Sequence, residues 1–322
     1  MLLYILLAIS LYFGDSTVMS SKSCKSKINL SGVIVAIATP FQENVQQSVD
    51  YDKLKKNVAI WEKIPLAGYC IGGSYGEWPY LTSEEKIEIL KTVKTLAHPS
   101  KFVMAGTTSE STKQSLELSL AVAEAGADAI LLQTPHYFRA RMTQNSIIEH
   151  FTTIADAIPI PVVIYNNPGT TGIDISVDTI EILSKHPNIC GVKDGNVFKL
   201  GAIVEKTKDK DFQVLASSAG DFLPALLVGC SGGMSGLAGI LGGPICEMYS
   251  LARANEWHKA AEIQKRLVLP DFLLLREYGP PALKAAMDML GYYGGSCRKP
   301  LLPLDAEVIS KIRQVLQASG HL

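Results

Sequence analysis

Two short apolar runs, Pro161-Val162-Val163-Ile164 and Ile189-Cys190-Gly191-Val192, stop abruptly on reactive side chains, Tyr165 and Lys193. A lysine ending a buried run is costly, because an ammonium there is poorly solvated. An amine held away from water is driven toward its neutral form, whose lone pair attacks a carbonyl carbon and forms a Schiff base. A phenol beside it passes protons to and from the adduct. Taken singly, Lys193 reads more readily as a strand-end lysine that snorkels to water, and Tyr165 as an aromatic plug before a Pro-Gly turn. The neighbouring residues have to decide.

Other apolar runs end in a similar way, on Thr39-Pro40-Phe41, Gly73-Ser74-Tyr75-Gly76-Glu77, Thr107-Thr108, Thr134-Pro135-His136-Tyr137 and Ser217-Ser218. This inventory of one lysine, tyrosines and a ring of hydroxyls lacks the paired carboxylates of glycoside hydrolysis. It also lacks a Ser/His/Asp set. Lysine and tyrosine in a dry pocket suit carbonyl chemistry, and the hydroxyls and backbone N–H groups of Ser74–Gly76 suit a carboxylate. Each part has a plain structural reading as well: the glycines serve a tight turn, His136 is a loop histidine, and Glu77 is a hydrogen-bond partner rather than a base. Their gathering at one end of a fold is what points to a site.

The elements that gather them repeat a strand-then-helix rhythm. Val33–Thr39, Gly68–Gly72, Phe102–Thr107, Ala129–Thr134, Val162–Tyr165, Ile189–Lys193, Val214–Ser217 and Gly232–Leu237 read as buried parallel strands, being continuous apolar or small-residue runs. Tyr51–Lys63, Ser83–Leu96, Thr112–Ala125, Gln144–Ala157, Val177–Lys185 and Leu200–Lys206 carry apolar residues at helical spacing. Thr82-Ser83-Glu84-Glu85 is a helix start with a cap and acidic first-turn residues. Eight such units predict a (β/α)8 barrel, whose usual size is about 250 residues and whose strand C-terminal ends face the active site. An open doubly wound sheet is the alternative, weakened because no Gly-x-Gly-x-x-Gly follows the first strand. The expected division is a leader at 1–28, the barrel at 29–245 and a C-terminal helical extension at 246–322, with helices at Glu256–Leu269, Pro281–Leu290 and Asp305–Ala318.

Composition narrows the function classes. A chain of 322 residues, 47% hydrophobic and 19% charged, buries a large core. Its formal net charge of −1 supplies no field for gripping nucleic acid or an acidic membrane surface. The 6 cysteines lack CxxC pairing and suit a reduced compartment rather than a disulfide framework. The 6 histidines form no HxH or HExxH arrangement, so no metal is expected. Residues 2–13 are apolar but too short to span a bilayer comfortably. They lack the basic n-region and clear cleavage site of a signal peptide.

In Ala38-Thr39-Pro40-Phe41, Gly73-Ser74-Tyr75-Gly76-Glu77, Ala125-Gly126-Ala127-Asp128, Thr134-Pro135-His136-Tyr137, Tyr165-Asn166-Asn167-Pro168 and Gly191-Val192-Lys193-Asp194, the chain resembles the pyruvate-dependent class I aldolases related to dihydrodipicolinate synthase and N-acetylneuraminate lyase. The similarity runs from about residue 32 to about residue 303. Within that family, Pro79–Ser83, Phe138–Met142, His186–Ile189, Asp211–Ala216 and Gly291–Gly295 are similar to the animal 4-hydroxy-2-oxoglutarate aldolases. The resemblance implies cleavage of 4-hydroxy-2-oxoglutarate to pyruvate and glyoxylate in hydroxyproline breakdown. It implies no cofactor beyond a covalent Schiff base with the substrate on Lys193.

By position, the resemblance makes Lys193 the Schiff-base residue and Tyr165 the proton carrier. Ser74, Tyr75, Ser217 and Thr39 contact substrate. Tyr137 reaches into a neighbouring subunit's site, which implies a homo-oligomer, a tetramer built as a dimer of dimers. It also implies a mitochondrial location; cytoplasmic, or secretory if the leader is a signal peptide, are the alternatives. Three departures stand out. Tyr75 replaces the usual Asn or Thr. The segment after Lys193 is about two residues short, with Gly195 where the aldolase has a substrate-binding Ser. Thr170 replaces an Arg of the synthases, which argues against lysine biosynthesis. Other expectations kept open are another pyruvate lyase of the family, acting on N-acetylneuraminate or 2-keto-3-deoxy sugar acids or synthase-like, and a non-catalytic 2-oxo-acid-binding relative.

Overall fold

The computed structural model describes residues 28–322, so all of the expected leader but Ile28, Cys24 included, lies outside the described residues. Strands β1 (Gly32–Ala36), β2 (Gly68–Ile71), β3 (Phe102–Gly106), β4 (Ala129–Gln133), β5 (Val162–Tyr165), β6 (Ile189–Asp194), β7 (Gln213–Ala216) and β8 (Gly232–Ser235) form a closed barrel in sequence order. Each pairs in parallel with the next, and β1 pairs with β8 to close the ring. This is the expected (β/α)8 barrel, and the doubly wound alternative falls away. Most strands are shorter by a residue or two than the apolar runs, because the runs continue into the loops that carry the polar residues.

Helices follow the strands: α1 (Tyr51–Trp61), α2 (Ser83–Leu96), α3 (Thr112–Glu124), α4 (Gln144–Ala157), α5 (Val177–Leu183), α6 (Val197–Thr207), α7 (Phe222–Leu227) and α8 (Ala238–Arg253). Capping residues set several starts. Thr82 accepts from the Glu85 amide while the Glu85 carboxylate accepts from the Thr82 amide, a complete capping box. Asn196 caps α6, which therefore begins a turn before the expected Leu200.

Helix α8 departs most from the reading of the sequence. Gly239, Gly242, Gly243 and Pro244 mask its periodicity, and its backbone leaves helical geometry at Leu241 (φ −119°, ψ 30°). The expected boundary at 245/246 falls inside this helix, so the eighth unit ends at Arg253. Beyond it come α9 (Trp257–Asp271), a π-helical turn Phe272–Glu277, α10 (Pro280–Met289) and α11 (Ala306–Ala318).

Burial on both faces explains the continuous apolar strands. Ile34, Met104, Leu131, Val163, Leu215 and Met234 pack together inside the barrel. Alternate residues such as Val33, Val35, Val103, Ile130, Ile164 and Val214 pack outward with the helices. Beneath the barrel, the Gln213 side chain accepts from the Leu30 amide and donates to the Ile28 carbonyl, tying the entering segment to β7.

Between β5 and β6 the register slips. Val162 pairs with Ile189 and Val163 with Gly191, so Cys190 is an extra residue. A bulge of this kind inverts the side-chain phase beyond it. Cys190 packs inside the barrel, Val192 outside, and Lys193 returns to the interior beside Tyr165, its ladder partner.

Candidate active site

Lys193 sits on the inward face at the C-terminal end of β6 and is only 4% exposed. Its ammonium lies 4.1 Å from the centroid of the Tyr165 ring, which is 9% exposed. That face attracts a cation through its quadrupole and leaves the amine without a carboxylate partner among the described residues. The Tyr165 hydroxyl oxygen accepts from the Asn167 side-chain amide at 3.0 Å, so the phenol's own proton is free to point at a substrate.

Residues that alternate with this pair fix the two strand ends. Asn166 donates from one amide nitrogen to Asp194 and to Asp174, each at 2.7 Å, and its carbonyl accepts from Ile175 N at 3.0 Å. Its backbone amide donates to the Lys193 carbonyl at 3.0 Å, extending the ladder past Tyr165. Lys199 pairs with both Asp174 and Asp194. Asn166, Asn167 and Asp194 entered the sequence reading only within motif stretches, with no role assigned, and Lys199 did not enter it. The available signal was strand alternation, which places the neighbours of two inward residues on the outward, load-sharing face.

The loop after β2 carries Ser74–Gly76 as a single 3-10 turn. Its first amides have no partner within the turn, as at any helix start. Thr39 does not offer its hydroxyl to the pocket; it donates to the Gly76 carbonyl at 2.7 Å and pins this turn to the end of β1. Thr107 and Thr108 are committed in the same way, accepting from Ser119 and from the Gln133 amide. The expected ring of free hydroxyls is therefore mostly a ring of hydroxyls holding backbone.

Glu77 adopts a left-handed conformation (φ 57°, ψ 38°) and is buried. It pairs with Lys284 of α10 at 2.7 Å and accepts from the Arg298 amide at 2.8 Å. Arg298 in turn forms two bonds to Glu85 and donates to the Gln47 and Tyr80 carbonyls. Glu77 is thus a structural partner joining the turn to the C-terminal extension. Tyr75 projects from the same turn and donates to the Leu275 carbonyl at 3.3 Å. Burial pushes its phenol well above the usual range, and the Tyr165 phenol and Asp271 push it further.

Gly195 and Ser217 meet directly. A Cβ on Gly195 would lie 2.8 Å from the Ser217 hydroxyl oxygen, and the Ser217 amide donates to the Asp194 carbonyl at 2.9 Å. The Ser217 hydroxyl, just past β7, thus stands beside the position where the resemblance led to the expectation of a serine hydroxyl. Ser218 turns away and donates to Asp271 at the end of α9. Cys70, also inside the barrel, is pushed up to about 12 by burial despite the Lys193 charge, so it stays a thiol and is no rival nucleophile. Tyr137 stands on the surface, 77% exposed, its ring edge-on to Phe138 at 5.0 Å and its amide bonded to Glu110. His136 lies beside the same Glu110 carboxylate, a loop contact.

The comparisons agree with this geometry. The model of the dihydrodipicolinate synthetase family matches residues 29–319. A 4-hydroxy-tetrahydrodipicolinate synthase of Haloarcula marismortui is 36% identical over 90% of this chain and 94% of its own. Among solved structures, a dihydrodipicolinate synthase of Bacillus anthracis superposes with a TM-score of 0.85 at 35% identity, covering 90% of this chain and 99% of that one. A synthase of Acinetobacter baumannii complexed with pyruvate gives 0.85 at 30% identity, over 91% and 99%. Enzymes of this family are class I lyases that hold pyruvate as a Schiff base on a lysine and take no external cofactor. With a closed barrel, a buried lysine on β6 and a tyrosine facing it from β5, the chain belongs to the dihydrodipicolinate synthetase family and is an enzyme of its class I lyase type.

Proposed function

We propose that Lys193 is the Schiff-base lysine of a pyruvate-dependent lyase and that Tyr165 moves its protons. The observation that carries this is the pairing of the two inside the barrel mouth, with the ammonium on the phenol ring. Lys193 attacks the 2-oxo carbon, water leaves, and an iminium forms. In the cleaving direction Tyr165, left as a phenolate once its proton has gone to the departing water, takes the proton of the 4-hydroxyl, the C3–C4 bond breaks, and its electrons enter the iminium as an enamine. The aldehyde leaves, C3 takes a proton, and hydrolysis releases pyruvate. The Ser74 hydroxyl and the first amides of its turn hold the substrate carboxylate, with Ser217 beside Gly195 completing that side.

Two readings of the aldehyde half remain in contention. The curated relative named above is a 4-hydroxy-tetrahydrodipicolinate synthase, which favours a condensing, synthase-like reaction over the 4-hydroxy-2-oxoglutarate cleavage expected from the sequence. The cleavage reading is supported by the turn above Tyr165. There Thr170 accepts from Gln133 at 2.9 Å and donates to the Asn167 carbonyl, so the turn itself carries no guanidinium.

Borohydride reduction in the presence of pyruvate, followed by peptide mass mapping, tests the chemistry: no adduct on Lys193 would sink it. Glyoxylate release from 4-hydroxy-2-oxoglutarate, set against formation of 4-hydroxy-tetrahydrodipicolinate, then chooses between the readings. Assembly as a homo-oligomer, with Tyr137 serving a neighbour's site, is part of the same proposal and is checked by sedimentation.

A further inference from the structure

The Tyr75 ring is held in place as a wall of the pocket. It packs against the barrel-interior cluster that contains Tyr165 and also against the outer core, so it bridges the two. A Cβ on Gly236, just past β8, would lie 2.6 Å from one Tyr75 ring carbon and 2.8 Å from another, with a Leu283 methyl at 3.2 Å. The ring therefore lies directly against bare backbone at Gly236, with Leu283 of α10 close by. Its hydroxyl donates to the Leu275 carbonyl in the π-helical turn Phe272–Glu277. The turn that carries it is pinned by Thr39 on one side and by the buried Glu77–Lys284 pair on the other. A side chain anchored on the end of β8 and on two pieces of the C-terminal extension is not free to swing out of the way.

Tyr165 and Lys193 fix where the substrate must lie. C2 is bonded to Lys193, the 4-hydroxyl meets Tyr165, and whatever the aldehyde carries beyond C4 extends toward the mouth. Tyr75 lies beside that path, packed against the barrel-interior cluster that contains Tyr165. A fixed aromatic ring presents bulk to polyhydroxylated carbon chains, while its phenol proton is already directed at Leu275.

We infer that Tyr75, held by Gly236, Leu275 and Leu283, is a chain-length filter that restricts the enzyme to short aldehydes and excludes sugar-length ones. The filter rests on the Schiff-base reading but not on which short aldehyde is used. Its consequence is a substrate class: compact aldehydes bearing few atoms beyond the carbonyl carbon.

The test is a series of pyruvate condensations on the full chain with glyoxylate, glyceraldehyde and N-acetylmannosamine, run on wild type, Tyr75→Phe and Tyr75→Asn. Excluding added carbons from a tight pocket is worth about 10- to 200-fold each in kcat/KM. Wild type should therefore prefer the shortest acceptor over N-acetylmannosamine by at least about a hundredfold. Tyr75→Phe keeps that ratio, because the ring stays. Tyr75→Asn shrinks it by about tenfold or more, through a lower KM for the long acceptor.

Wild-type enzyme that accepts N-acetylmannosamine as well as glyoxylate overturns the filter, and this measurement stands even if Tyr75→Asn does not fold. An unchanged ratio in folded Tyr75→Asn overturns it too. Borohydride trapping on the same samples separates the two levels. Pyruvate trapped on Lys193 with an unmoved ratio removes the filter alone, whereas no trapped pyruvate in wild type removes the Schiff-base reading and the filter together.

Discussion

Lys193 and Tyr165 are ladder partners at the ends of neighbouring strands, with the ammonium 4.1 Å from the ring centre and the phenol oxygen held by Asn167. Lys193 points inward beside Tyr165 because Cys190 is an extra residue in the β5–β6 pairing. In the proposed mechanism this pairing divides the labour between nucleophile and proton carrier.

Lys193→Ala should give no borohydride-trapped pyruvate and turnover at background. Tyr165→Phe keeps the ring beneath the ammonium and removes only the proton carrier, so imine formation should persist while kcat for cleavage or condensation falls by about a hundredfold or more. Equal losses in trapping and in kcat would show that the phenol has another role.

Two glycines near Lys193 should respond in opposite ways. A Cβ on Gly191 would lie 2.5 Å from the Gln213 carbonyl oxygen, a backbone atom of the paired strand that has no room to retreat. Gly191→Ala should cost about 1–3 kcal/mol or more in urea unfolding. At Gly195 the obstacle is the Ser217 hydroxyl, which rotates. Gly195→Ala should keep its unfolding midpoint and raise KM for pyruvate, and a KM equal to wild type would remove Ser217 from the binding side.

The Glu77–Lys284 pair is buried, each side chain being 1% exposed. Lys284→Met leaves a carboxylate without its partner and should destabilise by about 3–5 kcal/mol. Adding Glu77→Leu to that variant should recover most of the loss, because an apolar pair of similar size is often neutral. Failure of the double variant to recover would mean that the Arg298 amide, not the charge pair, dominates the contact at Glu77.

His150 is buried on α4, with Nδ1 2.9 Å from the Thr112 hydroxyl, and burial depresses its folded-state pKa to about 4. In an unfolded chain histidine titrates near ~6.5. The unfolded state thus binds a proton first as pH falls, so the stabilisation is complete above about 6.5 and is lost progressively toward about 4. The loss is on the order of 3 kcal/mol. His150→Gln should flatten the urea midpoint across that interval, and an unchanged slope would assign acid sensitivity to other groups.

Much of the site was legible before the fold. Alternating strands and helices, with each apolar run ending on polar residues, led to a barrel and to Lys193 and Tyr165 on consecutive strands, because parallel neighbours joined by one crossover lie side by side. Strand phase was less legible. Without the bulge, simple alternation from Cys190 would have put Cys190 and Lys193 on opposite faces. Thr39 looked like a substrate ligand and Thr107 and Thr108 like part of a ring of hydroxyls, but the Gly76 carbonyl, the Ser119 hydroxyl and the Gln133 amide hold them.

The sequence by itself determined the architecture and the reactive pair, since both follow from local periodicity and from residue types that are expensive to bury. Only the tertiary structure decided what surrounds them. Glu77 meets Lys284, Gly195 makes room for Ser217, and Tyr75 rests on Gly236 and Leu275. These contacts join segments remote along the chain, whose distances are set by barrel closure and by the path of the C-terminal helices, not by any spacing within a single run.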